Sequence, residues 1–443
     1  MGAIRSAGKR GLCMLRAAFY TLGCKVNQYE SNAMMSAFEQ AGFTIVEPEE
    51  EADVYVINSC TVTATGDKKS RQALRRFRRQ SPLAVLVLCG CFPQAFPEEA
   101  SLIPEADIVM GSKNRRDVLQ AVLDRLAGGE RVVKILPHTA GEPFEPMKIG
   151  GFHSRTRAFL KIQDGCERRC SYCIIPDARG PIRSKPLQDI QEELAALGAQ
   201  GYREVVLVGI NLSCYGLDLG LSLTDALEVA CHTPGISRVR LGSLEPELLT
   251  DEMMEQWKKL PGLCPQFHLS LQSGCDATLR RMNRHYDTAE YRRIAAGLRK
   301  AFPGCALTTD VMVAFPGETE EEYEASEAFV REMNFARTHV FVYSPRKGTP
   351  AALMPQVDKQ VASRRAKRMA QAAEDCRTRF LQEQLGTEQP VLWENRDSNG
   401  LWQGYTPNYT QVYLDSDREL HRQIVVVKLT ELYQDGCMGR LAE

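Results

Sequence analysis

The sequence predicts an α/β protein: an N-terminal parallel-sheet α/β domain, a partial (βα)6 barrel and a small C-terminal β-barrel. Two observations predict the first two parts. Short apolar runs alternate with helical segments, as parallel strands joined by crossovers do. Polar, glycine-containing turns follow run after run, where such sheets keep their ligand sites. The last sixty residues change to short strands and turns, which predicts the third part.

In order along the chain, residues 1–16 read as a leader, with Met14 as an alternative start. The N-terminal domain, 17–136, is expected to place strands at Ala17–Thr21, Asp53–Asn58, Ala84–Leu88 and Asp107–Met110. Helices are expected around Glu30–Ala41, Lys68–Gln80 and Arg115–Leu126. A Pro/Gly-rich stretch, 137–151, reads as a linker. The central domain, 152–384, predicts six strands near Ala158–Ile162, Glu204–Val208, Arg238–Leu241, Phe267–Leu271, Leu307–Val313 and His339–Tyr343. Six units make an open barrel, short of the eight of a closed one. After a helix over 360–384, the final domain, 385–443, predicts strands at Pro390–Trp393, Gly400–Tyr405, Thr410–Tyr413 and Arg422–Leu429.

Composition bounds the class. With 443 residues, 44% of them hydrophobic, the chain can fill two or three cores. No apolar run reaches the length of a membrane span, and the basic first sixteen residues lack the apolar core of a signal peptide. Fifteen cysteines without a secretory signal point to a reducing, cytoplasmic setting, with metal ligands and buried thiols instead of disulfides. Cys214, Cys231, Cys264, Cys305, Cys376 and Cys437 are scattered singly and read as small apolar fillers.

The sharpest signal is Cys166-Glu167-Arg168-Arg169-Cys170-Ser171-Tyr172-Cys173. Three thiolates on one short loop suit three corners of a 4Fe-4S cube, leaving the fourth iron open to a small molecule. A structural zinc wants a closed shell of four ligands, usually from two separated pairs, and is the weaker reading. A second triad is dispersed: Cys24, Cys60 and Cys91 each follow a strand expected in the first sheet, so the three converge on one rim. It reads either as a second cluster site or as ordinary buried strand cysteines.

The C-x3-C-x2-C spacing resembles the signature of radical S-adenosylmethionine (SAM) enzymes, whose barrel the central domain would then be. Thr21-Leu22-Gly23-Cys24-Lys25-Val26-Asn27-Gln28-Tyr29-Glu30-Ser31, Asn58-Ser59-Cys60-Thr61 and Cys89-Gly90-Cys91-Phe92-Pro93-Gln94 resemble the three cysteine motifs of the methylthiotransferases. Phe315-Pro316-Gly317-Glu318-Thr319 and Tyr343-Ser344-Pro345-Arg346-Lys347-Gly348-Thr349-Pro350 are similar to that family as well. Gly-Cys-Lys-Val-Asn-Gln-Tyr-Glu resembles its threonylcarbamoyladenosine branch, and Gly404-Tyr405-Thr406-Pro407-Asn408-Tyr409 resembles the RNA-binding TRAM domain. Asp177, Gly242, Ser270 and Cys275 depart from the usual family residues, and none is a cluster ligand.

The resemblance implies two 4Fe-4S clusters: an auxiliary one on Cys24, Cys60 and Cys91, with Cys91 preferred over its neighbour Cys89, and a radical-generating one on Cys166, Cys170 and Cys173. It implies a SAM pocket from Tyr172, Gly209, Asn211, Ser243, Glu245, Gln272 and Ser273. No acid or base is assigned. One SAM would methylate a sulfur held on the auxiliary cluster and a second would supply the radical. The reaction implied adds a methylthio group to C2 of N6-threonylcarbamoyladenosine-37 in a tRNA anticodon loop, with a flavodoxin- or ferredoxin-like electron donor. The same chemistry on isopentenyladenosine-37 or on a ribosomal-protein aspartate is the alternative. For RNA contact the sequence offers seven cations in twelve residues, Lys68, Lys69, Arg71, Arg75, Arg76, Arg78 and Arg79, with few acidic neighbours nearby in sequence. Arg179, Arg183 and Lys185 follow the radical-cluster loop.

Overall fold

The computed structural model describes residues 14–147, 149–150 and 156–441. Residues 1–13 of the expected leader, and Lys148 and Gly151 of the expected linker, lie outside them. The chain divides into two units: 1–61 with 65–137 and 147–150 form one, and 62–64 with 138–146 and 151–443 form the other.

The first unit is a six-stranded parallel sheet of β1 (Arg16–Thr21), β2 (Thr44–Val46), β3 (Val54–Ser59), β4 (Val85–Gly90), β5 (Ile108–Met110) and β6 (Val132–Lys134), in the order β2-β1-β3-β4-β5-β6. Every residue of β3, β4 and β5 is buried, as expected for strands covered on both faces. The edge strands β2 and β6 have three residues each and are partly exposed, so they lack the apolar run that marks the equally short β5. Over the sheet lies the helix Ala64–Gln80. Its residues Ala73, Leu74 and Phe77 fall on one face and join the core, where Phe77 stacks on Tyr55 at 4.5 Å.

The second unit begins with six barrel strands. β7 (Arg157–Lys161) is followed by a short antiparallel pair, β8 (Gln163–Asp164) with β9 (Arg183–Ser184), then by β10 (Glu204–Val208) and β11 (Arg238–Leu241). β12 (Ser243–Leu244), β13 (Gln266–Leu269), β14 (Ala306–Val313) and β15 (Arg337–Val342) complete the arc. The third strand is split. β11 pairs with β10 and β12 pairs with β13, with Gly242 at the break. A Cβ on Gly242 would stand 3.1 Å from the Leu207 carbonyl oxygen, so the missing side chain admits the neighbouring backbone. Two parallel sheets, β11-β10-β7 and β12-β13-β14-β15, thus form one open six-strand arc.

The long helix Lys359–Gln384 leads to a closed barrel of β16 (Glu388–Arg396), β17 (Trp402–Tyr405), β18 (Gln411–Leu414), β19 (Ile424–Tyr433) and β20 (Gly436–Leu441). Trp393, Trp402, Val412, Leu414, Val427 and Leu429 fill it. β19 starts two residues later than the sequence suggested because Arg422 takes a left-handed φ of 60°, which no strand continues. β20 was not foreseen. The six scattered cysteines are buried free thiols, as fillers should be.

Candidate metal centres and their surroundings

In the first unit Cys24, Cys60 and Cys91 follow the carboxyl ends of β1, β3 and β4, three strands adjacent in the sheet. Gly23 has φ +101°, and a Cβ there would meet the Cys60 Cβ at 2.7 Å and its sulfur at 2.9 Å, so glycine lets one strand end close on the next. Asn27 ties the rim together: its Nδ2 donates to the carbonyls of Leu22 (2.8 Å) and Ser59 (3.0 Å), and the Cys24 thiol donates to its Oδ1 at 3.8 Å. Asn58 Nδ2 donates to the Asn27 carbonyl at 3.0 Å. Behind the rim, Glu30 and Arg115 form an ion pair at 3.0 Å with both side chains fully buried. Cys89 lies inside β4, and burial pushes its thiol up to about 12, whereas Cys91 stands just beyond the strand end.

In the second unit the loop of Cys166, Cys170 and Cys173 leaves β8 through Gly165. There φ is +75° and any Cβ would sit 1.8 Å from the Pro181 carbonyl oxygen, so only glycine fits. The loop is pinned from outside. The Ser171 N–H donates to the Met282 carbonyl (2.9 Å), its hydroxyl to Arg281 (2.8 Å), and Asn283 Nδ2 to Arg169 (2.8 Å). Two N–H groups aim at sulfur: Arg284 Nη1 lies 3.4 Å from the Cys170 sulfur and Asn211 Nδ2 3.9 Å from that of Cys166. Arg284 also pairs with Glu245 and lies over the Tyr286 ring. It is a residue the sequence reading missed, because its place beside the loop comes from a helix end more than a hundred residues away.

Burial raises the Cys173 thiol to about 12, and its neighbours Cys170 and Cys166 push it the same way. Bound iron would deprotonate the thiols, and Arg284 would help carry the charge. Among the described residues no three His, Cys, Asp or Glu side chains close on one point, as a single ion would require. A cube takes one thiolate at each of three separate irons, which suits a donor set of three thiolates.

Of the other residues expected around SAM, Gly209 packs against Gln163, whose Oε1 accepts the Asn211 N–H at 2.8 Å. The buried Asn211 Oδ1 has no protein partner. Glu245 is half-buried, Ser243 is exposed and Gln272 holds a left-handed φ of 64° at the fourth strand end. Tyr172 packs edge-on against Phe315. Ser273 is a correction: it is fully buried and its hydroxyl accepts the Cys275 N–H, so it faces no ligand.

The expected RNA contacts need larger corrections. Arg179 and Arg183 are buried and, with Lys161, surround Asp164 at 3.3, 3.5 and 2.5 Å; Arg183 also meets Glu142 at 2.9 Å. Lys185 is buried against Glu193. Burial works against the Asp164 carboxylate, but Lys161, Arg179 and Arg183 hold it well below the usual range. These cations brace the cysteine loop and do not reach solvent. On the helix Ala64–Gln80, acidic partners arrive from outside: Glu99 for Arg71, Glu105 for Arg75, Glu49 for Arg76 and Asp107 for Arg78. Lys68, Lys69 and Arg79 stay exposed, as do Arg75 and Arg76 in spite of their partners. The loop Gly404–Tyr409 packs against the barrel strands. Tyr405 and Tyr409 stack at 4.7 Å and sandwich against Arg157, while Arg238 and Arg240 donate to the carbonyls of Tyr405 and Pro407. It docks the small barrel on the large one.

Comparison with known proteins agrees with this architecture. Residues 16–111 match the family described as Uncharacterized protein family UPF0004, and 160–330 match the Radical SAM superfamily. The chain is 38% identical to the threonylcarbamoyladenosine tRNA methylthiotransferase MtaB of Bacillus subtilis, covering 97% of this chain and 98% of that one. It is 37% identical to the MtaB of Thermotoga maritima, covering 96% of each. The tRNA-2-methylthio-N(6)-dimethylallyladenosine synthase of Caldicellulosiruptor saccharolyticus is 32% identical, over 95% of this chain and 91% of its own. Among solved structures, the radical SAM methyltransferase TsrM of Kitasatospora setae matches with a TM-score of 0.56 and 14% identity over 77% of both chains, a likeness of fold. No helix among the described residues is long and apolar enough to cross a membrane. Similarity along almost the whole chain, across both cysteine triads, places this protein in the radical SAM tRNA methylthiotransferase family.

Proposed function

We propose that the protein adds a methylthio group to C2 of N6-threonylcarbamoyladenosine-37 in the anticodon loop of tRNA. The observation that carries this reading is full-length identity of 37–38% to two threonylcarbamoyladenosine enzymes, against 32% to the dimethylallyladenosine synthase of Caldicellulosiruptor saccharolyticus. Cys166, Cys170 and Cys173 would hold the SAM-binding cluster, and Cys24, Cys60 and Cys91 the auxiliary one. When bound, the clusters and SAM supply the methyl group and the radical chemistry that an unactivated aromatic C–H bond demands.

The chain's own residues hold and insulate. Arg284 and Asn211 direct N–H groups at two sulfurs, and Glu245, Gln272 and the open side of Asn211 line the adjacent rim. Lys68, Lys69 and Arg79 supply exposed cations for RNA phosphates. A flavodoxin- or ferredoxin-like protein would deliver electrons, and the setting is the cytoplasm, where the tRNA is.

The test is mass spectrometry of nucleosides from tRNA lacking the methylthio group, after incubation with anaerobically reconstituted protein, SAM and reductant. The 2-methylthio form of threonylcarbamoyladenosine is the expected product. Release of 5'-deoxyadenosine without that nucleoside would overturn the substrate assignment.

A further inference from the structure

The inner face of the open arc grades from filled to open. At its lower end Arg240, Gln266 and Thr308 are buried, and Arg240 donates to the carbonyl of Pro407 from the docked loop, which closes that end. Moving toward the carboxyl ends of the strands, side chains on the same face become accessible: His268 on β13, Asp310 on β14, then His339 and Phe341 on β15. Alternate residues of β15, Val340 and Val342, lie on the other face, beside Ala362 and Ala366 of the long helix, so His339 and Phe341 project into the arc. His268 and His339 face each other with ring centroids 6.2 Å apart. His268 Nε2 lies 3.4 Å from Asp310 Oδ2, and its Nδ1 bonds the Thr308 hydroxyl at 3.0 Å; Asp310 is opposite His339 in the strand register. The three form a polar row across neighbouring strands.

We propose that this row is the specificity-determining site for the N6 substituent of the target adenosine, with His339 donating to the threonyl carboxylate and Asp310 accepting from its hydroxyl or urea N–H. The inference rests on the function proposed above and adds to it the residues that read the substrate. The chemistry separates the two kinds of relative. A threonylcarbamoyl group carries a carboxylate, a hydroxyl and urea N–H groups, whereas a dimethylallyl group is hydrocarbon. A site that presents donors beside an acceptor rewards the first. Facing the second, it would desolvate His339 and Asp310 with no new hydrogen bond in return, a cost that discriminates. Phe341, nearer the carboxyl end of β15 and 48% exposed, offers an apolar surface to the purine between this row and the rim.

The test compares wild type, His339→Leu and His339→Gln on three anticodon stem-loops: threonylcarbamoyladenosine, its methyl ester, and N6-dimethylallyladenosine. Wild type is expected to favour the free acid over the ester about tenfold or more in kcat/KM. His339→Leu should lose about tenfold to a hundredfold on the acid, chiefly through KM, and erase the preference for acid over ester. His339→Gln, which keeps an N–H donor, should recover part of both. A merely structural role for His339 would lower activity on acid and ester alike and leave their ratio unchanged, and that result would overturn the inference while the proposed function stands. Wild-type protein that modifies only the dimethylallyl stem-loop would overturn both.

Discussion

The cysteines of the first unit stand on three separate strand ends, whereas those of the second share one loop of eight residues. The difference is one of what builds the site. In the sheet, adjacency of β1, β3 and β4 brings distant cysteines to one rim, and the supports are local amides such as Asn27 and Asn58. In the loop, spacing brings the thiols together, but their orientation depends on residues 281–284 and on buried ions beneath. Each triad is followed by cations, and their fates are opposite: Lys68 and Lys69 face water, whereas Arg179 and Arg183 are locked around Asp164.

The strongest way to break the comparison is to remove one cysteine from each side. Cys166→Ala should abolish SAM cleavage, and Cys91→Ala should leave cleavage intact while stopping methylthiolation and lowering bound iron from about eight to about four. Release of 5'-deoxyadenosine and nucleoside mass spectrometry read both; equal loss of cleavage would end the division of labour.

Next in size is the outside support of the loop. Arg284→Ala, which takes an N–H from the Cys170 sulfur and a partner from Glu245, should lower iron retention or cleavage about 10–100-fold, as loss of an outer-sphere partner does. Iron content and cleavage rate of the reconstituted variant measure it.

Stability separates the two cationic groups. Arg179→Met takes one of three cations from the buried Asp164, leaving Lys161 and Arg183, and should cost about 1–3 kcal/mol in denaturant unfolding. Lys68→Ala should be near neutral in the same assay.

Glu318 sharpens what compensation means. Asp164 has three cations around it, but Glu318 has Arg365 at 2.9 Å and one backbone N–H, and burial lifts it to about 7 in spite of them. Its folded-state value lies above the unfolded value of about 4.3, so the folded state holds the proton more tightly. Stability should therefore fall as pH rises from about 4.3 to about 7 and level off beyond. Glu318→Gln should remove a slope of about 1–3 kcal/mol across that window, seen in unfolding free energies measured at several pH values.

The smallest effect belongs to the exposed cations. Lys68→Ala with Lys69→Ala should weaken tRNA binding modestly and lower the salt slope of log K by about 0.7–0.9 for each phosphate that is no longer neutralised. An unchanged slope would remove this helix from the RNA surface.

Much of the fold and the identity of both triads were legible in the residues. The βα alternation, the three strand ends and the 166–173 spacing are local properties, carried by which residues neighbour each other in the chain. The partly exposed edge strands and β20 lacked an apolar run to read. Whether a cation meets water or a carboxylate was not local: Glu49, Glu99, Glu105 and Asp107 reach the helix Ala64–Gln80 only through the sheet, and Asp164 gathers Arg179 and Arg183 only once β8 pairs with β9. The same holds for Gly242 splitting a strand, for Tyr405 and Tyr409 docking on Arg157, and for Arg284 beside Cys170. The row of His268, Asp310 and His339 likewise exists only after three parallel strands set its register. By itself the sequence determined which residue types stand at each strand end, because that is a matter of spacing. Tertiary structure alone decided which side chains meet and which remain in water, because burial and pairing depend on contacts between segments far apart in the chain.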